Sequence, residues 1–170
     1  VGGEAHSATK EKVNGMDLSA FPATKPEQPL RLLFIHHSVG GQLLADPGPE
    51  QDLADSINTT HPNGGGLRKA LEAEGYEVNE ASYGSAVGND TDILDWPEKF
   101  QRQMQQVLSC RHQDEKHAHG VQNQIVVFKS CFPNNALQDD PQLATSVDPP
   151  PLTIAHAQAA YRTLLPEFAR

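Results

Sequence analysis

Three short strand-like segments, each followed by turn residues, constrain the fold of this chain more than any other feature of its sequence. They are residues 31–36, 76–81 and 124–130. The first is apolar nearly throughout and the third is rich in β-branched residues, as expected for strands buried on both faces of a parallel sheet. Strands that alternate with helices are joined by right-handed crossovers. The sequence therefore predicts an α/β domain with a parallel sheet, helices on both faces and functional sites at the carboxyl edge.

Four segments have the periodicity or the boundary residues of helices. Gly75 predicts the end of the second helix because glycine adopts the left-handed cap conformation at little cost. Asp95 and Pro97 are preferred residues at the cap and the first position of the third helix, which buries Phe100, Met104, Val107 and Leu108. The predicted helices are residues 39–44, residues 67–74, a helix that begins at Pro97, and residues 153–165.

The connections are rich in turn residues. Residues 45–66 contain many Asp, Pro, Asn and Gly residues and are predicted to form a long surface loop, and residues 111–120 a His-rich loop. Residues 1–30 are predicted to form an irregular N-terminal arm, and residues 31–170 the domain. Since the last helix has no strand after it, we expect the N-terminal portion of a longer α/β domain or a processed chain.

Charge and cysteine content limit the partners and the covalent links. The formal net charge of −9 opposes binding to nucleic acid and to anionic membranes. No apolar run approaches the roughly 20 residues that span a bilayer. Cys110 and Cys131 are predicted at opposite edges of the sheet, roughly 23 Å apart. A disulfide bridge requires Cα atoms within about 7 Å, so we expect free thiols.

Ser38 is the residue in this chain best placed for chemistry. Residues 34–41 read Phe-Ile-His-His-Ser-Val-Gly-Gly, so Ser38 stands where the first strand turns into the first helix. A turn of this kind exposes a nucleophilic hydroxyl and brings backbone N–H groups near a developing oxyanion. Serine is also a preferred helix cap. The local pattern alone is explained equally well by a nucleophile and by a capping serine.

The sequence resembles the SGNH/GDSL hydrolase superfamily, in particular divergent bacterial members whose first block reads His-His-Ser-x-Gly. His36 and His37 replace the usual Gly-Asp pair before the serine. The resemblance continues at Tyr83-Gly84, at residues 91–96 and at residues 128–135. It implies a flavodoxin-like, three-layer α/β/α sandwich and hydrolysis of a small-molecule or carbohydrate ester, without a cofactor.

The resemblance also assigns roles to individual residues. Ser38 would be the nucleophile, and its oxyanion would be held by the amide of Ser38 or Val39 together with Gly84 and Asn134. Ser130 and Asn135 are alternatives to Asn134, because the local spacing differs from the Gly-x-Asn-Asp of the superfamily.

The superfamily's Asp-x-x-His element, which supplies the general base, is not visible in these residues. We expect it beyond Arg170; without it, the chain is a non-catalytic binding or assembly module that retains the fold. His37 is a poor substitute, since neighbouring residues at a strand end point apart. His156 with Asp148 is a weaker alternative to a solvated helix histidine.

A metal site is the weakest interpretation. His112, His117 and His119 lack a cysteine or carboxylate partner, so a polar loop is favoured. His36 and His37 are expected to form hydrogen bonds around Ser38 rather than to bind a metal.

Asp90, Asp92 and Asp95 lack the glycine and glutamate of a calcium loop, and helix capping explains them better. No metal is predicted. We expect an exported protein, periplasmic or extracellular; removal of a leader and trimming of a longer chain explain the start at Val1 equally well.

Overall fold

The computed structural model describes residues 24–131, 135–139 and 152–169. Strands and short helices alternate along it. In chain order the elements are β1 (Leu30–Ile35), α1 (Val39–Leu44), β2 (Asp46–Pro47), β3 (Gln51–Ala54), β4 (Ile57–His61), α2 (Leu67–Ala73), β5 (Tyr76–Ala81), α3 (Trp96–Ser109), β6 (Cys110–His112), β7 (Glu115–Lys116), β8 (Ile125–Phe128) and α4 (Ile154–Phe168).

A five-stranded, mostly parallel sheet forms the centre, in the order β7-β6-β5-β1-β8. β1 is paired in parallel with both β5 and β8, and only the β6-β7 pair is antiparallel. Ile35 is in register with Ala81 on one side and with Phe128 on the other. The three predicted strands are therefore confirmed, and the loops that follow them leave from the same edge of the sheet.

Helices cover both faces of this sheet because successive residues of β1 point to opposite sides. Leu33 and Ile35 join a core cluster with α3 and α4, whose largest members are Trp96 and Phe100. Leu32 and Phe34 join a second cluster with Leu44 of α1, Val78 and Leu71. The α/β class predicted from the sequence is confirmed.

The prediction of a long surface loop at residues 45–66 is wrong. β2, β3 and β4 form a small three-stranded sheet in the order β2-β4-β3. Ile57, Asn58 and His61 of β4 are buried, and the β3-β4 turn has positive φ at Asp55 and Ser56. The β-branched residues of β4 favour a strand, but the turn residues that flank it conceal this signal. The predicted His-rich loop likewise begins with β6 and β7.

Helix boundaries agree closely with the sequence. Gly75 follows α2 with φ 90°, as its cap role predicts. α3 begins at Trp96, one residue before Pro97, and the Asp95 carboxylate accepts a hydrogen bond from Asp92 N–H instead of capping the helix. α4 extends past its predicted end because the ring of Phe168 packs against Phe100 and Phe128.

Both cysteines are free, as predicted. Cys110 is buried at the end of α3, and burial raises the pKa of its thiol to about 12, so this thiol stays protonated and unreactive. None of the helices that the structure describes is long and apolar enough to cross a membrane. Of the predicted N-terminal arm, residues 1–23 lie outside the described residues.

Candidate active site

Ser38 has a strained backbone, with φ 44° and ψ −106°. Residues other than glycine rarely adopt positive φ, and such strain is concentrated at functional sites. Ser38 is exposed, and its side chain caps no helix N–H group. The helix-capping interpretation is therefore wrong. The N–H groups of Ser38 and Val39 also donate to none of the residues that the structure describes.

Two glycines permit this turn by allowing close approaches. A Cβ atom on Gly40 would lie 2.3 Å from the Cβ atom of His36. A Cβ atom on Gly41 would lie 1.8 Å from the carbonyl oxygen of Ser56, at the β3-β4 turn. The turn of the small sheet therefore lies directly against the start of α1, and a larger residue would displace His36 at one glycine or the Ser56 backbone at the other.

His36 does not contact the Ser38 hydroxyl, although it lies only two residues away. Its ring is fully buried, and Nε2 lies 3.1 Å from Glu80 Oε2. Arg68 forms an ion pair of 2.7 Å with the other oxygen of Glu80. These polar contacts link the end of β1 to β5 and to α2, so they fix the strand from which the turn starts.

His37 binds the loop after β5 instead of Ser38. Its Nε2 atom lies 2.6 Å from the carbonyl oxygen of Gly88, and the Thr91 hydroxyl lies 3.1 Å from the same nitrogen. The ring stacks on Tyr83 with 3.4 Å between ring centroids. The ammonium of Lys129 donates to the His37 carbonyl oxygen at 3.2 Å. Lys129 thus holds the peptide that precedes Ser38, a contact that sequence reasoning missed because a lysine at a strand end is ordinarily a surface residue.

A cavity of about 500 Å³ opens beside this turn and carries an acidic wall. The Tyr83 phenol, on the same cavity, donates a hydrogen bond to the Cys131 sulfur, and this bond together with burial raises the pKa of the phenol to about 12. The phenol therefore stays neutral. The lining residues are His37, Tyr83, Asn89, Asp90, Thr91, Asp92, Asp95 and Cys131.

Three of the predicted oxyanion residues have hydrogen-bond partners in this structure. Gly84 has φ 80°, and its N–H donates to Asn89 Oδ1 at 3.1 Å. The Ser130 hydroxyl accepts from Trp96 Nε1 at 2.7 Å. Asn135 accepts from Ile93 N–H and donates to Asp92 and to the Cys131 carbonyl oxygen, so it joins two loops. Asn134 lies outside the described residues.

The contacts described for the other predicted histidines involve residues other than Ser38. The backbone N–H of His156, in the first turn of α4, donates to Thr153 Oγ1, and Asp148 lies outside the described residues. His117 lies 3.4 Å from Asn123 Oδ1, whereas His112 lines a separate cavity with Arg68 and Glu80. Within the described ranges, no group of three or more His, Cys, Asp or Glu residues is arranged to hold a metal ion.

Comparisons with protein-family models, with curated proteins and with solved structures found no match for this chain. The site has an exposed, strained serine, two backbone N–H groups that donate to none of the described residues, and a polar cavity lined by the neighbouring His37.

The burial of His37 predicts how the free energy of unfolding depends on pH. Burial lowers the pKa of His37 below its ordinary value of 6.5, more than the Gly88 carbonyl raises it. As pH falls below about 6.5, the unfolded chain takes up a proton on His37 that the folded chain does not, so the free energy of unfolding decreases. We expect His37→Gln to lose less stability than the wild type between about pH 7.5 and pH 5.5.

Urea denaturation at both pH values measures this difference. His119→Gln serves as the control, because His119 is exposed and should leave the wild-type pH dependence unchanged. An identical loss of stability in His37→Gln and in the wild type would contradict the prediction.

Proposed function

We propose that this protein is a serine ester hydrolase of the SGNH type, built on a three-layer α/β/α sandwich, with Ser38 as its nucleophile. The observation that carries this proposal is the conformation of Ser38: exposed, at φ 44°, between the carboxyl end of β1 and the start of α1. Hydrolases with α/β folds present their nucleophile at a similarly strained strand-to-helix turn. A strained residue of this kind costs about 1–3 kcal/mol and persists only where its surroundings impose it.

In the proposed reaction, Ser38 Oγ attacks the carbonyl carbon of an ester. The serine proton passes to a general base, and the tetrahedral oxyanion accepts hydrogen bonds from the free N–H groups of Ser38 and Val39. Gly84 and Asn134 complete the oxyanion hole; Gly84 N–H does so by exchanging its bond to Asn89. Collapse of the intermediate breaks the bond to the alcohol oxygen, so the alcohol leaves with the proton from the base and the acyl group stays on Ser38 Oγ. Water then gives a proton to the base and attacks the acyl carbon. The acid leaves as the bond to Ser38 Oγ breaks and the serine recovers the proton.

The base comes from outside the described residues in this proposal. Among residues 24–131, 135–139 and 152–169, no side chain forms a hydrogen bond with the Ser38 hydroxyl, and the two neighbouring histidines are bound to Glu80 and Gly88. A serine hydroxyl is weakly nucleophilic without a base. The enzyme therefore requires a histidine, with an acidic partner, that reaches Ser38 from another part of the protein.

The second candidate is an exported binding or assembly module that retains the fold without catalysis. The existing bonds of Gly84 to Asn89 and of Ser130 to Trp96 favour it, because they occupy groups that an oxyanion would need. In this case the polar cavity beside Ser38 would bind a ligand without reacting with it.

A fluorophosphonate probe distinguishes the two candidates. An activated serine displaces fluoride and keeps the phosphonyl group, whereas an inactive serine does not react. We expect mass spectrometry of the full-length protein to find the added mass on the peptide that contains Ser38, and only before heat denaturation. Absence of this mass, or equal labelling of the folded and denatured protein, would refute the hydrolase and favour the binding module.

A further inference from the structure

Another cavity, of about 730 Å³, lies between the end of α3 and the loop at residues 117–122. Its titratable lining residues are Lys116, His117 and His119, and the others are glutamines, a serine and small or apolar residues. None of them is an aspartate or a glutamate, although the chain has 22 acidic residues against 13 basic ones. A cavity with an ammonium and imidazoles but no carboxylate attracts an anion and repels a cation.

The acidic residues closest in the chain are turned away from this cavity. The Asp114 carboxylate accepts a hydrogen bond from the N–H group of Ala86 at 2.8 Å. Glu77 and Glu115 line a separate cavity. Successive side chains of β7 point to opposite sides, so Glu115 faces away from Lys116. Within the described part of the chain the Lys116 ammonium forms no ion pair, and its charge is therefore not compensated there.

The charged groups of the neighbouring strand and helix keep the cavity positive. Arg31, at the start of β1, donates from Nε to the carbonyl oxygen of Gln122 at 2.6 Å, so its guanidinium lies against the same loop. Arg102 of α3 is ion-paired with Glu98 at 2.9 Å, and this pair is neutral as a whole. The charge that a ligand meets is therefore set by Lys116, Arg31 and the two histidines.

The hydrogen bonds of Asn123 fix which nitrogen of His117 carries a proton. Asn123 Nδ2 donates to the carbonyl oxygens of Leu108 and Cys110, and its Oδ1 accepts from Asn79 Nδ2 at 3.0 Å. Because Oδ1 can only accept, His117 Nε2, 3.4 Å away, bears the proton. Nδ1 of His117 has no partner among the described residues. A second proton, which histidines take up between pH 8 and pH 5, would make it a donor.

The shape and the donors of the cavity restrict the anion further. Gln122 Nε2 donates to Gln105 Oε1 at 3.1 Å, which leaves the amide nitrogen of Gln105 as a donor. The donors thus come from α3, from β7 and from the loop, and a tetrahedral oxyanion presents oxygens to all three, whereas a carboxylate presents two in one plane. The volume is in the range of small-molecule sites, roughly 300–1,000 Å³, so there is room for an organic part beside the anionic group.

We propose that this cavity binds the phosphate group of a small phosphate monoester through Lys116, His117, His119 and Gln105. In the bound state His117 carries two protons: Nε2–H stays on Asn123, and Nδ1–H donates to a phosphate oxygen. Lys116 Nζ and the Gln105 amide donate to the other oxygens.

This site is separate from the turn at Ser38. Gln124, at the start of β8, donates from its N–H group to the Arg31 carbonyl oxygen, so the loop at residues 117–122 joins the amino edge of the sheet. Ser38 follows the carboxyl end of β1, whose six residues span roughly 20 Å. The phosphate site therefore does not depend on the proposed hydrolase function, and its test does not involve the labelling of Ser38.

Titration of the full-length protein with sodium sulfate, followed by ¹H–¹⁵N correlation NMR, tests the site directly. Sulfate keeps two negative charges from about pH 5.5 to pH 8, so a change in affinity over this range reports the histidines. Sodium chloride keeps the ionic strength constant. We expect the amide signals of residues 117–122 to shift. The dissociation constant should be about tenfold lower or more at pH 5.5 than at pH 8, since each protonated histidine adds a charged hydrogen bond.

Substitutions assign the binding to individual side chains. Lys116→Met should raise the dissociation constant about tenfold at both pH values. His117→Gln and His119→Gln should each remove about half of the pH dependence, and the exposed position of His119 keeps the test available if His117→Gln fails to fold. Two matched controls, Lys69→Met and His112→Gln, alter residues of a separate cavity and should bind sulfate as the wild type does. Shifts spread over the surface without favouring residues 117–122, or unchanged affinity in Lys116→Met, would overturn the proposal.

A pair of organic anions then tests the phosphate assignment. At pH 7 phenyl phosphate is mainly a dianion and benzoate a monoanion with the same ring. We expect phenyl phosphate to bind about tenfold more tightly than benzoate, and Lys116→Met to reduce this difference. Equal affinity for the two compounds, or a preference for benzoate, would contradict a phosphate ligand.

Discussion

Replacement of Ser38 by alanine is expected to lower kcat/KM for a short aryl ester by about 10³- to 10⁶-fold, as loss of a nucleophile does in serine hydrolases generally. The reason is that no other residue presents a hydroxyl at the strained turn between β1 and α1. Alanine keeps the positive φ of Ser38, so the free energy of unfolding should stay close to that of the wild type. Initial rates with 4-nitrophenyl acetate measure the first effect, and urea denaturation the second.

Two further variants make this result specific. Ser38→Gly should also be inactive, but it should gain about 1 kcal/mol of stability because glycine adopts positive φ without strain. Ser109→Ala, at the end of α3, should keep full activity. If Ser38→Ala retains most of the wild-type rate, Ser38 is not the nucleophile and its strain has another origin.

Trp96→Ala is expected to lower the free energy of unfolding by about 3–5 kcal/mol. Trp96 is fully buried at the start of α3, and its ring packs against Phe100 and Phe128 with centroid distances of 5.7 and 4.7 Å. Removing the ring leaves a cavity between α3 and the sheet. It also removes the partner of the Ser130 hydroxyl, to which Trp96 Nε1 donates at 2.7 Å.

Far-UV circular dichroism during urea denaturation measures this loss. Trp96→Phe keeps most of the packing and removes the hydrogen bond, so it should cost roughly 1–2 kcal/mol. Leu165→Ala is the matched control on α4, where the side chain is 72% exposed, and its effect should stay within about 0.5 kcal/mol. A loss below about 1 kcal/mol for Trp96→Ala would show that the core tolerates the cavity, against the usual cost.

The parallel part of the sheet could be predicted from sequence because its information is local. β1, β5 and β8 are short runs with apolar or β-branched residues, and the helices that follow strands begin or end at recognisable residues such as Gly75 and Thr153. Periodicity and boundary residues are properties of neighbouring positions. The nucleophile candidate Ser38 was visible for the same reason, since the strand, the serine and two glycines are contiguous.

What escaped prediction depends on residues far apart in the chain. The bond between His36 and Glu80 joins positions 44 residues apart and follows from the pairing of Phe34 with Glu80 in the sheet. The small sheet owes its place to the approach of Ser56 to Gly41. The burial of Lys99 likewise depends on what covers α3. None of these contacts leaves a periodic signal in the sequence.

The position of Trp96 has a practical consequence, because it is the single tryptophan of the chain. Its indole lies within the core, shielded from water. It donates one hydrogen bond to Ser130, two positions after the end of β8. Its intrinsic fluorescence is therefore a label-free optical reporter of a defined place, where the core meets the carboxyl edge of the sheet. Emission from this one chromophore can follow folding and occupancy of the neighbouring cavity without the introduction of any dye.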